Sequence, residues 1–187
     1  MCAGFICTLA LWGTAAVAQN DAVKAPAWKE YTYPNDAFVI AAPAEPKLSQ
    51  EPLRVFGGSA NAHVYAVRGG EQGALIVLVE DRQPSDQRSD QDVLEQARLG
   101  VLATAHAIVT VQQNRTLGDY RGAQIDLEAV DSNGARKRVR DRFFVVGRRL
   151  YQIIAIGPAG DPLPADAERW FASFRLADGE GLRPSLR

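Results

Sequence analysis

Ser59 and His63 are the two side chains whose types and proximity in the sequence come nearest to a nucleophile and its base. A serine hydroxyl becomes nucleophilic when a base such as histidine accepts its proton within hydrogen-bond reach. Four residues of extended chain would separate the two Cα atoms by about 13 Å, so that contact requires a sharp bend. The glycines at 57 and 58 indicate a turn, and the sequence has no Gly-x-Ser-x-Gly elbow. We therefore expect turn chemistry here and keep an exported hydrolase as an alternative.

Metal and cofactor chemistry would need ligand clusters that this sequence does not show. His63 and His106 are its two histidines, and neither has a Cys, Asp or Glu at a recognisable ligand spacing. The segment 131–134 has the start of a calcium loop without the remaining ligand positions. The glycine pairs at 57–58 and 69–70 lack the residues of a P-loop or a dinucleotide site. We predict no catalytic residue, no metal site and no cofactor.

The loop before residue 136 decides which side chains face each other in a predicted hairpin. A three-residue loop with Gly134 in the left-handed conformation sets Asp126 opposite Arg140. A two-residue Asn-Gly loop would instead set Asp126 opposite Asp141. The first register is favoured because it pairs opposite charges.

Asp126 and Glu128 lie on one face of the predicted strand, where two carboxylates can share a proton or bind a cation. In the favoured register Arg138, Arg140 and Arg142 face them. Guanidinium groups would keep both acids ionised and occupied, and an ionised carboxylate cannot serve as a general acid. A structural ladder of charges is therefore expected instead of an acid–base pair.

A basic hairpin is the one feature that offers a binding function. Residues 19–110 hold 8 basic and 12 acidic side chains, whereas residues 111–187 hold 13 and 10. The candidate patch consists of Arg136, Lys137, Arg138, Arg140, Arg142, Arg148 and Arg149. Such a patch can dock an envelope protein or an anionic surface. The alternative is that neighbouring carboxylates neutralise it.

The amino terminus predicts export. Residues 1–18 contain no charge, an apolar run at 4–12 and the small-x-small cleavage pattern Ala16-Val17-Ala18. Both cysteines lie inside this leader, so cysteine chemistry is not expected in the mature chain. We predict a signal peptide over 1–18, a lead-in over 19–27, one domain over 28–176 and a tail over 177–187, with no transmembrane segment in the mature chain. A periplasmic or secreted protein of net charge −1 is a poor candidate for nucleic-acid binding.

Apolar alternation predicts short strands and helical spacing predicts two helices. The strands are expected at 28–33, 38–41, 53–56, 62–68, 74–79, 108–111, 123–129, 136–146 and 150–156, with a polar linker before residue 53 and the run 74–79 covered on both faces. The helices are expected over about 90–105, after a capping box at Ser89 and Asp92, and over 164–176. This order predicts an α+β domain whose sheet is mainly antiparallel, with the helices packed on it.

The layout and particular residues resemble the Mog1/PsbP-like α/β/α sandwich family of small exported bacterial proteins. The matching positions are Trp28, Tyr31, Pro34, Phe38 and Pro43 at the front, Phe143, Val145, Gly147, Leu150 and Tyr151 in the last hairpin, and Ser173 and Phe174 in the closing helix. They are turn formers and apolar residues, so they describe packing and carry no chemistry. Members of this fold include photosystem accessory proteins and a Ran-binding regulator. The resemblance therefore implies a non-catalytic accessory or partner-binding role.

The sequence thus predicts an exported accessory or protein-binding domain of the bacterial envelope that docks through its basic hairpin. A carrier of a small ligand or lipid is a further alternative, and it would need an apolar cavity of several hundred Å³ between a helix and the sheet.

Overall fold

A computed structural model describes residues 27–55, 58–69, 73–105, 107–130, 133–159, 163 and 165–177. The predicted leader, nearly all of the lead-in, the tail after residue 177, His106 and residues 131–132 lie outside them. In chain order the described elements are β1 (Lys29–Tyr33), β2 (Phe38–Ala42), β3 (Lys47–Val55), β4 (Gly58–Gly69), β5 (Gly73–Asp81), α1 (Asp90–Ala105), β6 (Ile108–Leu117), β7 (Tyr120–Val130), β8 (Arg136–Val146), β9 (Arg149–Pro158), α2 (Ala165–Ser173) and β10 (Arg175–Leu176).

The described strands form two antiparallel sheets. The large sheet has the order β3-β4-β5-β9-β8-β7-β6, and the small sheet has the order β1-β2-β10. Hairpins join most neighbouring strands. The pairing of β5 with β9 connects the strands that precede α1 to those that follow it. The predicted α+β class with a mainly antiparallel sheet is therefore confirmed.

Several predicted element bounds are wrong, mostly at the edges of the large sheet. The expected linker is the first half of β3, an edge strand in which Pro52 is tolerated because one side of the backbone has no partner strand. At the other edge β6 continues past Val111 to Leu117. Its side chains are mostly exposed, so the strand lacks the apolar alternation that predicts strands. The second helix ends at Ser173, and the next residues form β10 against β2.

The hairpin register is as predicted. Asp126 lies opposite Arg140 and Glu128 opposite Arg138, and Gly134 has a φ of 80°. The turn between β8 and β9 has two residues, and its first, Gly147, has a φ of 60°, a value that suits glycine and the primed turns of tight hairpins.

The two faces of the large sheet carry different cores. We call the side that contacts α2 and the small sheet the front face, and the side that contacts α1 the back face. Phe144, Val146, Tyr151 and Ile153 are buried on the front, whereas Ile125, Leu127, Phe143 and Val145 are buried on the back beneath α1. The expectation that β5 is buried on both faces holds for the front only, because Ile76 and Leu78 on the back are half-buried.

Aromatic rings fill the front core. Trp170 of α2 and Phe38 of β2 have no exposed surface. Phe38 stacks on Phe174 with 5.6 Å between ring centroids, and Tyr151 meets Phe174 edge-on at 5.6 Å. The predicted apolar stripe of the second helix is confirmed as the contact with the small and large sheets, with Trp170 on α2 and Phe174 directly after its end.

Asp141 is a buried acid in an apolar setting. It lies on the back face between Ile125 and Ile154, and neither carboxyl oxygen has a hydrogen-bond partner among the described residues. Burial raises the pKa of Asp141 well above its ordinary value. The folded chain therefore holds this proton to higher pH than the unfolded chain, and the associated stability is lost as the pH rises from about 3.9 through the folded-state pKa.

We predict that Asp141→Asn raises the free energy of unfolding at pH 8 by about 1–3 kcal/mol, because the amide cannot ionise. At pH 4 the gain should largely vanish, since the native carboxyl is then protonated in the folded state. Urea denaturation at the two pH values measures both effects. The control is Asp119→Asn, in an exposed turn. If Asp141→Asn is less stable than the wild type at pH 8, the prediction is contradicted.

Candidate functional site

Four of the seven predicted basic residues form a row on the front face. Arg136, Arg138, Arg140 and Arg142 occupy alternate positions of β8, so they share the face on which Phe144 lies. We call these four residues the arginine ladder. Lys137 takes the intervening position and belongs to the back face.

Arg148 and Arg149 belong to the opposite end of the same hairpin. Arg149 binds Asp81 through two hydrogen bonds, of 2.6 and 2.9 Å, and Arg148 donates to the main-chain oxygen of Arg82. About 30 Å of extended strand separates Arg148 from Arg138. The structure therefore divides the predicted patch into the ladder and a pair that fastens the β8–β9 turn to the end of β5.

Arg140 is the central rung of the ladder. Its Nε and Nη2 atoms bind the two oxygens of buried Asp126 at 2.8 and 2.7 Å. Burial raises the pKa of Asp126, but the hydrogen bonds and charge of Arg140 outweigh it and hold this pKa below its ordinary value. Arg140 also binds Glu168 of α2, so a single guanidinium connects the sheet to the helix. The expected structural pairing of Asp126 is confirmed.

At the outer end of the ladder, the ion pair runs diagonally between β8 and β7. Glu128 lies opposite Arg138 in the register but accepts a hydrogen bond from Arg136. The Arg136 side chain is 71% exposed, so this pair contributes little to stability while leaving a cation accessible to a partner.

Arg142, at the inner end of the ladder, lies near a second cation that the sequence did not indicate. Arg142 and Arg115 of β6 both donate through Nε to the side-chain oxygen of Gln124, at 2.8 and 3.1 Å. Gln124 is 1% exposed, and its amide donates to Asp126 at 2.9 Å. Burial lowers the pKa of Arg142, and the charge of Arg115 lowers it further. Sequence reasoning missed Arg115 because the prediction ended β6 at Val111, and it gave no role to Gln124 although that residue lies in the predicted strand 123–129.

A second polar cluster lies where the small sheet meets the large one. Asp36, buried in the turn between β1 and β2, accepts hydrogen bonds from Tyr65 and, at 2.8 Å, from His63 Nδ1. The hydroxyl of Tyr151 donates to the Asp36 main-chain oxygen at 2.8 Å. Burial, followed by the bond to Asp36, raises the pKa of Tyr65, so its hydroxyl remains a donor. Asp36 was not among the predicted residues, and its contacts join segments far apart in the chain.

This cluster orients an imidazole but does not bring it to Ser59. Strand β4 is extended over both residues, which places their Cα atoms about 13 Å apart. The other ring nitrogen of His63 lies 3.2 Å from the amide nitrogen of Gln50. No group of three His, Cys, Asp or Glu side chains suited to a metal ion occurs in the described ranges. His106, the other histidine considered as a ligand, lies outside them.

Comparison with known proteins places the fold. No family model matches the sequence, and no curated protein matches it. Among solved structures, cyanobacterial PsbP (CyanoP) from Synechocystis sp. PCC 6803 aligns with 86% of this chain and 98% of its own, with a TM-score of 0.52 and 11% identity. A Pseudomonas aeruginosa protein of unknown function aligns over 72% of this chain and 85% of its own, with a TM-score of 0.43 and 7% identity.

The chain therefore has a PsbP-like α+β fold, as the resemblance predicted. At 11% identity this likeness concerns the fold alone. Neither helix of the described part combines the length and the apolar character needed to cross a bilayer.

We predict that Asp36→Ala lowers the free energy of unfolding by about 2–3 kcal/mol, because it leaves Tyr65 and His63 without their shared acceptor. Urea denaturation near neutral pH measures the loss. The control is Gln50→Ala, which removes the exposed contact of the same imidazole and should change stability by less than about 0.5 kcal/mol. Equal effects of the two changes would contradict a joining role for Asp36.

Proposed function

We propose that this protein is an exported, non-catalytic accessory domain of the bacterial envelope that binds a protein partner through the front face of β6, β7 and β8. The observation that carries this proposal is the arginine ladder, a row of cations on the face beside α2. The PsbP-like fold supports it, because the family resemblance implies accessory and partner-binding roles.

The pattern of charges favours a protein over a lipid or polymer surface. Glu128 binds Arg136 and Glu168 binds Arg140, so the surface presents both signs within a few ångströms. A polyanionic surface favours an excess of one sign, whereas a protein interface matches alternating charges and gains specificity from them.

The front core favours docking over the carrier alternative. The space between α2 and the sheet is occupied by the rings of Phe38, Tyr151, Trp170 and Phe174. A carrier would need to receive its ligand there, and moving close-packed aromatic side chains would cost several kcal/mol. The extended course of β4 between Ser59 and His63 argues against the hydrolase alternative.

Export rests on the leader pattern, and it has its own test. We predict that the protein isolated from the envelope fraction begins at Gln19, because cleavage follows the small residue Ala18. N-terminal sequencing or intact-mass measurement checks this, with Ala18→Leu as the variant expected to retain the leader. Accumulation of the uncleaved wild-type chain in the cytoplasm would overturn the proposal of export.

We predict that a photoreactive amino acid at Val111 cross-links to an envelope protein in living cells, whereas the same residue at Leu48 does not. Both side chains are exposed, by 42% and 56%, on opposite edge strands of the large sheet. Val111 shares the face of Asp126, next to the ladder. Mass spectrometry of the adducts identifies the partner.

Charge reversal in the same cells tests whether the ladder makes this contact. Arg136→Glu with Arg138→Glu should reduce the Val111 adduct about tenfold, since reversed charges at an interface oppose association. Arg68→Glu, a change of an exposed arginine on β4, is the matched control. Arg140 is left unchanged because it holds buried Asp126. An adduct equally abundant in all variants, or equally strong at Leu48, would overturn the proposed docking face.

A further inference from the structure

Arg115 and Arg142 differ from Arg136 and Arg140 because they share a neutral acceptor. Each donates its Nε proton to Gln124, whose side chain carries no charge. The carboxylate of Glu168 lies 3.9 Å from Arg142, beyond hydrogen-bond distance. By contrast, Arg136 and Arg140 bind carboxylates directly.

The shared acceptor brings two positive charges together. Since both Nε atoms lie within 3.1 Å of one oxygen, they are no more than about 6 Å apart. Among the described residues, the amide oxygen of Gln124 is the one hydrogen-bond acceptor of Arg115. The terminal NH₂ groups of both guanidiniums, two on each side chain, are therefore still available to donate to an anion.

The pair is held in place before any ligand arrives. Gln124 is buried and tied to Asp126, which Arg140 holds in turn. The Arg142 guanidinium lies over the ring of Phe171, 4.3 Å from its centroid, and this contact fixes its plane. Groups fixed in this way lose little conformational entropy when they bind.

We propose that Arg115 and Arg142 form a subsite for one carboxylate, supplied by an acidic side chain of the protein partner. This assignment rests on the proposed docking function and names the chemistry that the docking face recognises. Planar guanidinium groups bind a carboxylate through paired, parallel hydrogen bonds. The surface nearby supports such a contact with the exposed apolar side chain of Val111 on the same face.

A carboxylate fits this subsite better than a phosphate does. Glu168 lies at the border of the subsite and already partly compensates the charge of Arg142. Asp126 lies two positions from Gln124 on β7 and accepts a hydrogen bond from its amide. A second negative charge on the ligand would be repelled by both acids. The local balance therefore suits a single negative charge.

The side-chain Nε–H signals of arginine report the subsite directly in ¹H–¹⁵N NMR spectra of the mature protein. The probe is N-acetylglutamate α-amide, titrated at constant ionic strength against sodium chloride and, in a separate arm, inorganic phosphate. We expect the Arg115 and Arg142 signals to shift together along one saturating curve while the Arg136 signal moves little. Equal, non-saturating shifts of all arginines, or tighter binding of phosphate, would overturn the assignment.

Two variants and a matched control complete the test. Arg115→Gln and Arg142→Gln should each raise the half-saturation concentration at least about tenfold, a change of about 1.4 kcal/mol. Arg68→Gln, a change of an exposed arginine on β4, should leave it within twofold. The backbone spectrum of each variant confirms folding, and if one variant unfolds, the other and the wild-type titration still decide. If both variants bind the probe as tightly as the wild type does, the proposed subsite is overturned.

The titration tests the subsite and the cellular cross-link tests the docking face, so either proposal can be overturned without the other. Loss of carboxylate binding with a persistent Val111 adduct would overturn the subsite and leave the docking face. Saturable carboxylate binding without any adduct would overturn the docking face and leave an anion subsite on the isolated domain.

Discussion

The alternation of side chains along β8 is the constraint on which the rest of this structure depends. Successive residues of a strand point to opposite faces, so one strand supplies the arginine ladder to the front and Val139, Phe143 and Val145 to the back. A slip of one residue would place arginines beneath α1 and apolar side chains in the ladder. The register is therefore fixed twice, by burial of the back face and by the pairing of Arg140 with Asp126 on the front. Both the core and the proposed binding surface follow from this one register between β7 and β8.

Parts of the fold with strong local patterns could be predicted from the sequence. The bounds of β8 and α1 match the expected 136–146 and 90–105. Hydrogen bonds between Ser89 and Asp92 confirm the capping box. The halves of β3 and β6 that were missed are edge strands, and their polar sequences satisfy backbone hydrogen bonds on one side without burying much surface. Local pattern carries no information about such segments, because only the neighbouring strand determines that they are strands.

The same distinction separates the predicted and the missed residues of the site. The pairing of Asp126 with Arg140 follows from a hairpin, in which loop length sets the partners. Arg115 reaches Gln124 only because β6 extends beyond its apolar beginning. Asp36 and His63 are 27 positions apart and meet through two different sheets. A buried carboxylate with distant partners leaves no periodic mark on the sequence, although its effect on stability is large.

The two helices cover different parts of the large sheet on opposite faces, and this offset explains where a binding surface can form. On the back, α1 packs against β7 and β8, whereas on the front α2 and the small sheet pack against β4, β5 and β9. On the front, the side chains of β6 are mostly exposed and Arg136 at the outer end of β8 is exposed, so water or a partner can reach them, whereas Gln124 and Asp126 of β7 are buried between these strands. Charged residues there need no apolar cover, but they must be paired with one another to be retained on a half-buried strand. The arginines meet that requirement unequally: Arg140 is fully occupied by carboxylates, whereas Arg142 and Arg115 share an uncharged amide. A partner's carboxylate at that position would therefore complete a row of ion pairs that the chain has built except for its last acid.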